Sequence, residues 1–271
     1  MKRCVISFAT YDKQFPAGIK RLERSLKRVK FDGDFIPRVG IYPEGCPVHL
    51  DSPFAFKPFC FMEAKKRGYE LILWIDSSGV VIRPLDPLFN EIEKEGYVLF
   101  KNGDLILGEW CSDEALVSLG ITREEALAMP ETNNAVIGLN IKHEKAIEFL
   151  NRWYEKSIDG VSFRGTRNSN IGYYDIQWNK NQVISKHPRV RGHRHAQTAA
   201  GVIANQLDIK LLSKDIVRSH LITPSTTILI NRDVKEKRRP IKSVNEVYIV
   251  KYILLIRYQL RRIKKWIRKL I

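Results

Sequence analysis

Leu71–Phe89 reads LILWIDSSGVVIRPLDPLF, and its first six residues decide the fold. Five apolar residues run directly into Asp76, followed by two serines and a glycine. A second apolar run, Val80–Ile82, ends at Arg83-Pro84. A short unbroken apolar run bounded by turn residues is the pattern of a strand buried in a parallel sheet. In open α/β sheets, ligands sit beyond the carboxyl ends of the strands. Asp76 therefore stands at a strand tip, where its carboxylate can meet a metal ion or a phosphate-bearing ligand. The competing reading is an aspartate that closes its own turn through an Asx hydrogen bond.

The flanking sequence supplies the rest of such a sheet. Cys4–Ala9 is predicted as a first strand, with Thr10, Tyr11 and Asp12 at its tip. Apolar residues at Ile19, Leu22, Leu26 and Val29 predict a helix over Ala17–Val29. Phe35–Tyr42 is a second strand, and Pro58 opens a helix over Phe59–Arg67 that stops at Gly68. This alternation argues for an α/β sheet with parallel neighbours. Downstream, the pattern predicts a helix over Pro87–Glu95, a strand over Tyr97–Lys101 and two short helices within Glu109–Met129, the second opened by a Thr122/Glu125 capping box. A strand over Ala135–Asn140, an amphipathic helix over His143–Lys156, an ordered loop over Ser162–Lys186, a helix over His195–Leu207 and a strand over Ile209–Leu212 complete the reading.

With 271 residues and 44% hydrophobic content, the chain can bury a sizeable core, which excludes a disordered protein. Cys4, Cys46, Cys60 and Cys111 form no C-x-x-C pair, so they read as reduced thiols of a cytosolic protein rather than a disulfide framework or a zinc site. The net charge of +16 is unevenly placed. Residues 232–271 hold 14 Lys/Arg against Asp233, Glu236 and Glu246, a net +11 that leaves +5 for the preceding 231 residues. A nearly balanced domain over 1–231 with a basic tail over 232–271 points to an anionic surface as partner.

Three stretches, taken together, resemble a known family. Phe56–Phe89 (FKPFCFMEAKKRGYELILWIDSSGVVIRPLDPLF) resembles the donor-binding half of GT-A nucleotide-sugar glycosyltransferases, with Ser78 in place of the second aspartate of their Asp-x-Asp signature. Asn133–Glu155 resembles the strand and helix that follow in bacterial and viral members, and His193–Ile209 (HRHAQTAAGVIANQLDI) their later Asp-Gln helix. The order of the three pieces carries the likeness, which spans roughly Cys4 to His220. It implies one GT-A domain, Rossmann-like, with a mostly parallel central sheet flanked by helices.

The resemblance also implies roles. A departing nucleoside diphosphate needs its charge met by a divalent ion or by Lys/Arg. Asp76 would be a ligand of Mn2+ or Mg2+, with Ser78 a weaker one and His220 in the place of a histidine ligand. A surface histidine at a strand end is the other reading of His220. Thr10, Tyr11 and Asp12 would contact the nucleoside, and Lys57 the phosphates; a rim aromatic and a solvated lysine are the other readings of Tyr11 and Lys57. Asn133, Asn134 and His193 would meet the acceptor, and Gln197 would offer hydrogen bonds to sugar hydroxyls. Ala196 stands where relatives carry the acidic general base, a role alanine cannot fill. A retaining mechanism, a base elsewhere, or an acid replaced at this position each account for it. His195 is then the nearest group able to orient an acceptor or phosphate; a histidine packed at the helix start is the other reading.

From Ile249, apolar residues recur at 253, 256, 260, 263, 267 and 270, with Arg261, Arg262, Lys264, Lys265, Arg268 and Lys269 between them. This is a basic amphipathic helix, too interrupted by Lys251 and Arg257 to span a bilayer and suited to lie on an anionic leaflet. Packing on the body, or pairing with a second copy as a homodimer, is the alternative. The expectation is a metal-assisted glycosyltransferase of hexosyl type, peripheral on the cytoplasmic membrane face and acting in polysaccharide biosynthesis on a glycan or lipid-linked saccharide. A catalytically silent GT-A-like binding module is the second reading. A nucleic-acid binder is disfavoured by the weakly charged body.

Overall fold

The computed structural model describes residues 1–11, 15–165, 184–212, 216–218 and 225–230, and residues 252, 256, 259, 260 and 263 of the tail. In chain order it forms β1 (Arg3–Ala9), α1 (Phe15–Arg28), β2 (Asp34–Val39), α2 (Phe56–Lys66), β3 (Leu71–Ile75), β4 (Gly79–Val81), α3 (Asp86–Glu95) and β5 (Tyr97–Ile106). A 3-10 turn (Leu107–Trp110) leads to α4 (Asp113–Leu119), α5 (Arg123–Ala128), β6 (Pro130–Thr132), β7 (Val136–Asn140) and α6 (Glu144–Ile158). α7 (Ala196–Gln206), β8 (Leu211–Leu212), β9 (Val217–Arg218) and β10 (Ile228–Ile230) follow.

The main sheet runs β2-β1-β3-β7-β5-β6, with β8 paired to β5. β1 is parallel to both β2 and β3, and β8 is parallel to β5. β7 enters antiparallel between β3 and β5, and β6 pairs antiparallel to β5. The α/β fold with its parallel β2-β1-β3 half is the one read from the apolar runs. β4 leaves the main sheet to pair with β10, which also pairs with β9, in a small three-stranded sheet.

All five residues of β3 are buried, and they alternate between two cores. Ile72 and Trp74 face the core beneath α2, α6 and α7, whereas Leu71, Leu73 and Ile75 face the one beneath α1 and α3. β1 and β7 alternate alike, with Ile6 and Ile137 on the first face and Val5 and Val136 on the second. This is the period-2 consequence of a sheet covered on both sides. Each fully buried Leu or Ile contributes about 1.5–3 kcal/mol, so β3 is among the last segments to open.

The helix ends follow local chemistry. Gly120 takes a left-handed conformation to end α4, and Thr122 with Glu125 forms the reciprocal capping box that starts α5. α2 begins at Phe56, three residues before the expected start, with Pro58 in its first turn, where the missing N–H costs nothing. All four cysteines are free thiols; Cys4 is buried between β-strands, and burial pushes its thiol up to about 12. Most of the expected loop over Ser162–Lys186 and most of the tail over 232–271 lie outside the described residues. Among the described residues, no helix is long and apolar enough to cross a membrane.

Candidate functional site

The tip of β3 is pinned from three directions. The Asp76 N–H donates to the Ala135 carbonyl (2.9 Å), which extends the β3–β7 ladder by one step. The Gly79 N–H donates to the Asp76 carbonyl (2.7 Å) and closes the turn. From below, the Ser7 hydroxyl donates to the Ile75 carbonyl at 2.6 Å. α1 lies directly against the turn at Gly18, where a Cβ would stand 2.4 Å from the Ser77 carbonyl oxygen.

Asp76 so held meets Lys57, which projects from the first turn of α2. Lys57 Nζ donates to Asp76 Oδ1 and to the Asn134 carbonyl, both at 2.7 Å. The indole Nε1–H of Trp74, two residues back along β3, donates to the same Oδ1 at 2.8 Å. The Lys57 side chain is 7% exposed and that of Asp76 20%. Burial at this level requires compensation of the ammonium charge. The Asp76 carboxylate supplies it, and the faces of Trp74 (5.1 Å) and Phe54 (5.8 Å) add cation–π attraction.

Opposite lies the start of α7. A cleft of about 50 Å³ is lined by Phe54, Lys57, Asp76, Asn134, Ala135 and the segment Arg194–Gln197. His195 sits at a positive φ of 55°, an uncommon conformation for a non-glycine residue, and so does Phe54 at 66° across the cleft. Backbone strain of this kind gathers at functional sites. The Phe163 carbonyl can only accept, so His195 Nδ1 carries the proton of their 2.9 Å bond.

Arg194 and Gln197 share a fully buried carboxylate, Glu131 of β6. Arg194 Nη1 donates to Oε2 (3.0 Å) and Gln197 Nε2 to Oε1 (2.9 Å), while Asn102 donates to Oε2. The guanidinium also stacks on Trp110 at 4.0 Å. Asn134 donates through Nδ2 to the Ala196 carbonyl (3.2 Å), which ties the β6–β7 turn to α7.

The structure thus brings together Lys57, Asp76, Asn134, His195, Ala196 and Gln197. Asn133 is buried beside the cleft, its Oδ1 accepting from the Ala135 N–H (3.1 Å). His193 is fully buried and lies outside the cleft lining. Its Nδ1 accepts from the Ser112 N–H and its Nε2 donates to the Ser162 carbonyl, and burial holds it down to about 4. Ser78 is half-buried outside the lining, its carbonyl accepting from Arg21 of α1. Thr10 is half-buried at the end of β1. Tyr11 is exposed, its ring lying so close over Gly40 that a Cβ there would stand 1.9 Å from it. Asp12 and His220 lie outside the described residues.

Phe54 and Glu131 were not singled out by the sequence, and Arg194 only as a member of the later helix motif, without a role. Arg194 is spelled within the HRHAQ run, but its carboxylate partner lies 63 residues away. Phe54 has only its alternation with Phe56 to mark it.

A hard dication takes oxygen ligands, and where substrate phosphates supply some of them one or two protein carboxylates must be open to it. Among the described residues, Asp76 is the single carboxylate lining the cleft, and its Oδ1 already accepts from an ammonium and an indole. Among the described residues, no group of three or more His, Cys, Asp or Glu could hold a metal. The described donor set does not fit Mn2+ or Mg2+.

No family profile matches this chain, and neither does any curated protein. Solved structures do align with it. A bifunctional glycosyltransferase, WbbM, aligns at TM-score 0.44 and 12% identity over 81% of this chain, which spans 40% of that protein's length. Mouse xyloside xylosyltransferase 1 aligns at TM-score 0.46 and 9% identity, covering 88% and 99% of the two chains. The glycosyltransferase GlyE of Streptococcus pneumoniae aligns at TM-score 0.45 and 12% identity, covering 97% and 64%. Likeness at this level does not carry the activity of those proteins to this chain.

Proposed function

We propose that the chain is a glycosyltransferase that moves a hexosyl group from a nucleotide-sugar donor to a glycan or lipid-linked saccharide at a membrane surface. The observation that carries the reading is the Lys57–Asp76 pair at the carboxyl end of β3, set in a cleft capped by the start of α7. It is the position at which open α/β sheets hold ligands. The cleft is well below the ~300 Å³ of a full small-molecule site. It suits one charged or hydroxylated end of a ligand, with Tyr11 on its glycine seat as a stacking platform for the base. In the proposed step, an acceptor hydroxyl oxygen attacks the anomeric carbon while the bond from that carbon to the diphosphate oxygen breaks. The electron pair leaves with the diphosphate, whose charge meets Lys57 and Arg194. The acceptor proton passes to His195 Nε2, and Asn134 and Gln197 hold sugar hydroxyls.

Surface localisation rests on the tail. Tyr252, Ile256, Leu260 and Ile263 are helical and each more than half exposed, among the basic residues of 232–271. Apolar side chains presented this way suit the cytoplasmic headgroup boundary of a membrane.

Isothermal titration with a panel of sugar nucleotides tests the donor reading. At least one is expected to bind, and Asp76→Asn is expected to weaken it at least tenfold; no binding across the panel would remove the proposal. The buried methyl of Ala196 favours a second reading, a binding module without turnover. Ala196→Asp separates the two: in a transferase that relies on His195, the added carboxylate base raises transfer to an added saccharide, whereas a binding module gains nothing.

A further inference from the structure

We infer that the Lys57 ammonium is the resident cation of this site and stands where a divalent ion would otherwise sit. The inference rests on the sugar-nucleotide reading only for the identity of the anion that Lys57 meets.

Three observations converge. First, Nζ is held at 2.7 Å by one formal anion, Asp76 Oδ1, and at 2.7 Å by one strong dipole, the Asn134 carbonyl, with the Trp74 face on its flank. These are the oxygens a metal ion entering the cleft would seek, a carboxylate and a backbone carbonyl. Second, Asp76 Oδ1 takes a further donor from Trp74 Nε1 at 2.8 Å, so its lone pairs point at an N–H and an ammonium. A dication bound there at about 2.1 Å would sit against a buried positive charge in a low-dielectric wall. Third, the turn that displaces Ser78 from the cleft is fixed by packing. The Gly79 N–H closes it, and α1 packs so tightly on it that a Cβ at Gly18 would stand 2.4 Å from the Ser77 carbonyl oxygen, so the turn backbone cannot shift toward α1.

The ammonium is also placed for use. It comes from the first turn of α2, which also holds Pro58, and its Nζ lies over the faces of Phe54 and Trp74. A fixed lysine provides one charge without recruitment of an ion, and Arg194, stacked on Trp110, provides a second from across the cleft. These two built-in cations, each paired with an acid, Asp76 and Glu131, present fixed N–H donors to the oxygens of a leaving diphosphate.

The test uses the full chain and two probes. In the first arm, MnCl2 is titrated into the protein and free Mn2+ is read by electron paramagnetic resonance. Wild type is expected to retain none, and Lys57→Met, which uncovers the Asp76 carboxylate, to bind Mn2+ at least tenfold more tightly. Stoichiometric Mn2+ on the wild type, lost in Asp76→Asn, would overturn the inference without any variant of Lys57 having to fold. In the second arm, UDP and GDP are titrated calorimetrically with EDTA and again with Mn2+. Equal affinity in both buffers, retained within threefold by Lys57→Arg and weakened at least tenfold in Lys57→Met, is the expected result. Diphosphate binding that appears only with Mn2+ overturns it. Silence of both nucleotides in both buffers sinks the donor reading instead, and the manganese titration alone then decides the cation assignment.

Discussion

At the residue scale, the cleft borders a histidine pair whose members have opposite duties. His195 lines the cleft, whereas His193, 5.5 Å away, is sealed beneath it and joins Ser112 to Ser162. Burial lowers His193 from an ordinary 6.5 to about 4, because the charged ring is cut off from water. The folded protein therefore binds this proton less readily than the unfolded chain does. Stability on this account is full above pH 6.5 and falls as pH drops from 6.5 towards 4. At about 1.4 kcal/mol per pH unit, roughly 3 kcal/mol is at stake over that window. Urea unfolding at pH 7.0, 5.5 and 4.5 should show the loss, and His193→Gln, which cannot titrate, should have a shallower acid slope. Identical slopes would show that the acid sensitivity lies in other groups.

At the scale of elements, the turn after β3 depends on one missing methyl group. Gly18→Ala in α1 would gain about 1 kcal/mol of helix propensity on an open surface. Here the new Cβ would meet the Ser77 backbone carbonyl at 2.4 Å, and backbone cannot rotate away. Overpacking of this kind costs about 1–3 kcal/mol, so the clash exceeds the propensity gain. Gly18→Ala is expected to lower the thermal midpoint and to weaken nucleotide binding together, because displacing the turn moves Asp76. Lower stability with unaltered binding would show that the turn yields without disturbing its carboxylate. β3 itself was legible because both its faces are buried, so five consecutive apolar residues end at a polar tip. The strands β6 and β10 were not: three residues long, they owe their pairing to distant partners rather than to any pattern of their own. The pairing of Lys57 with Asp76 was equally hidden. Both residues were visible as candidates, but the contact spans 19 residues and depends on how α2 lies over the β3 tip. Charge and spacing along a sequence disclose which groups are present; helix packing decides which of them touch.

At the scale of the whole molecule, the charge is divided between a body of net +5 and a tail of net +11, and the two parts call for different partners. The body turns its cleft cations, Lys57 and Arg194, toward a small anion and compensates each with an acid, Asp76 and Glu131. The tail presents exposed apolar side chains at Tyr252, Ile256, Leu260 and Ile263 within a sequence in which Lys and Arg outnumber acids by 11. Each basic residue near an anionic leaflet contributes about 1 kcal/mol. If only four of the eight Lys/Arg in 243–271 reach the surface, the gain of about 4 kcal/mol is roughly a thousandfold in partitioning. Removal of residues 243–271 should therefore abolish sedimentation with vesicles containing anionic lipid. The full-length Leu260→Glu chain, altered at a side chain 52% exposed, should bind such vesicles at least tenfold more weakly. Because the attraction is in part electrostatic, wild-type binding should also fall as salt rises and be weak on purely zwitterionic vesicles. Undiminished binding of both altered chains to anionic vesicles would assign membrane contact to the body, and loss of the membrane interaction altogether in the wild type would leave the tail to pair with a second copy.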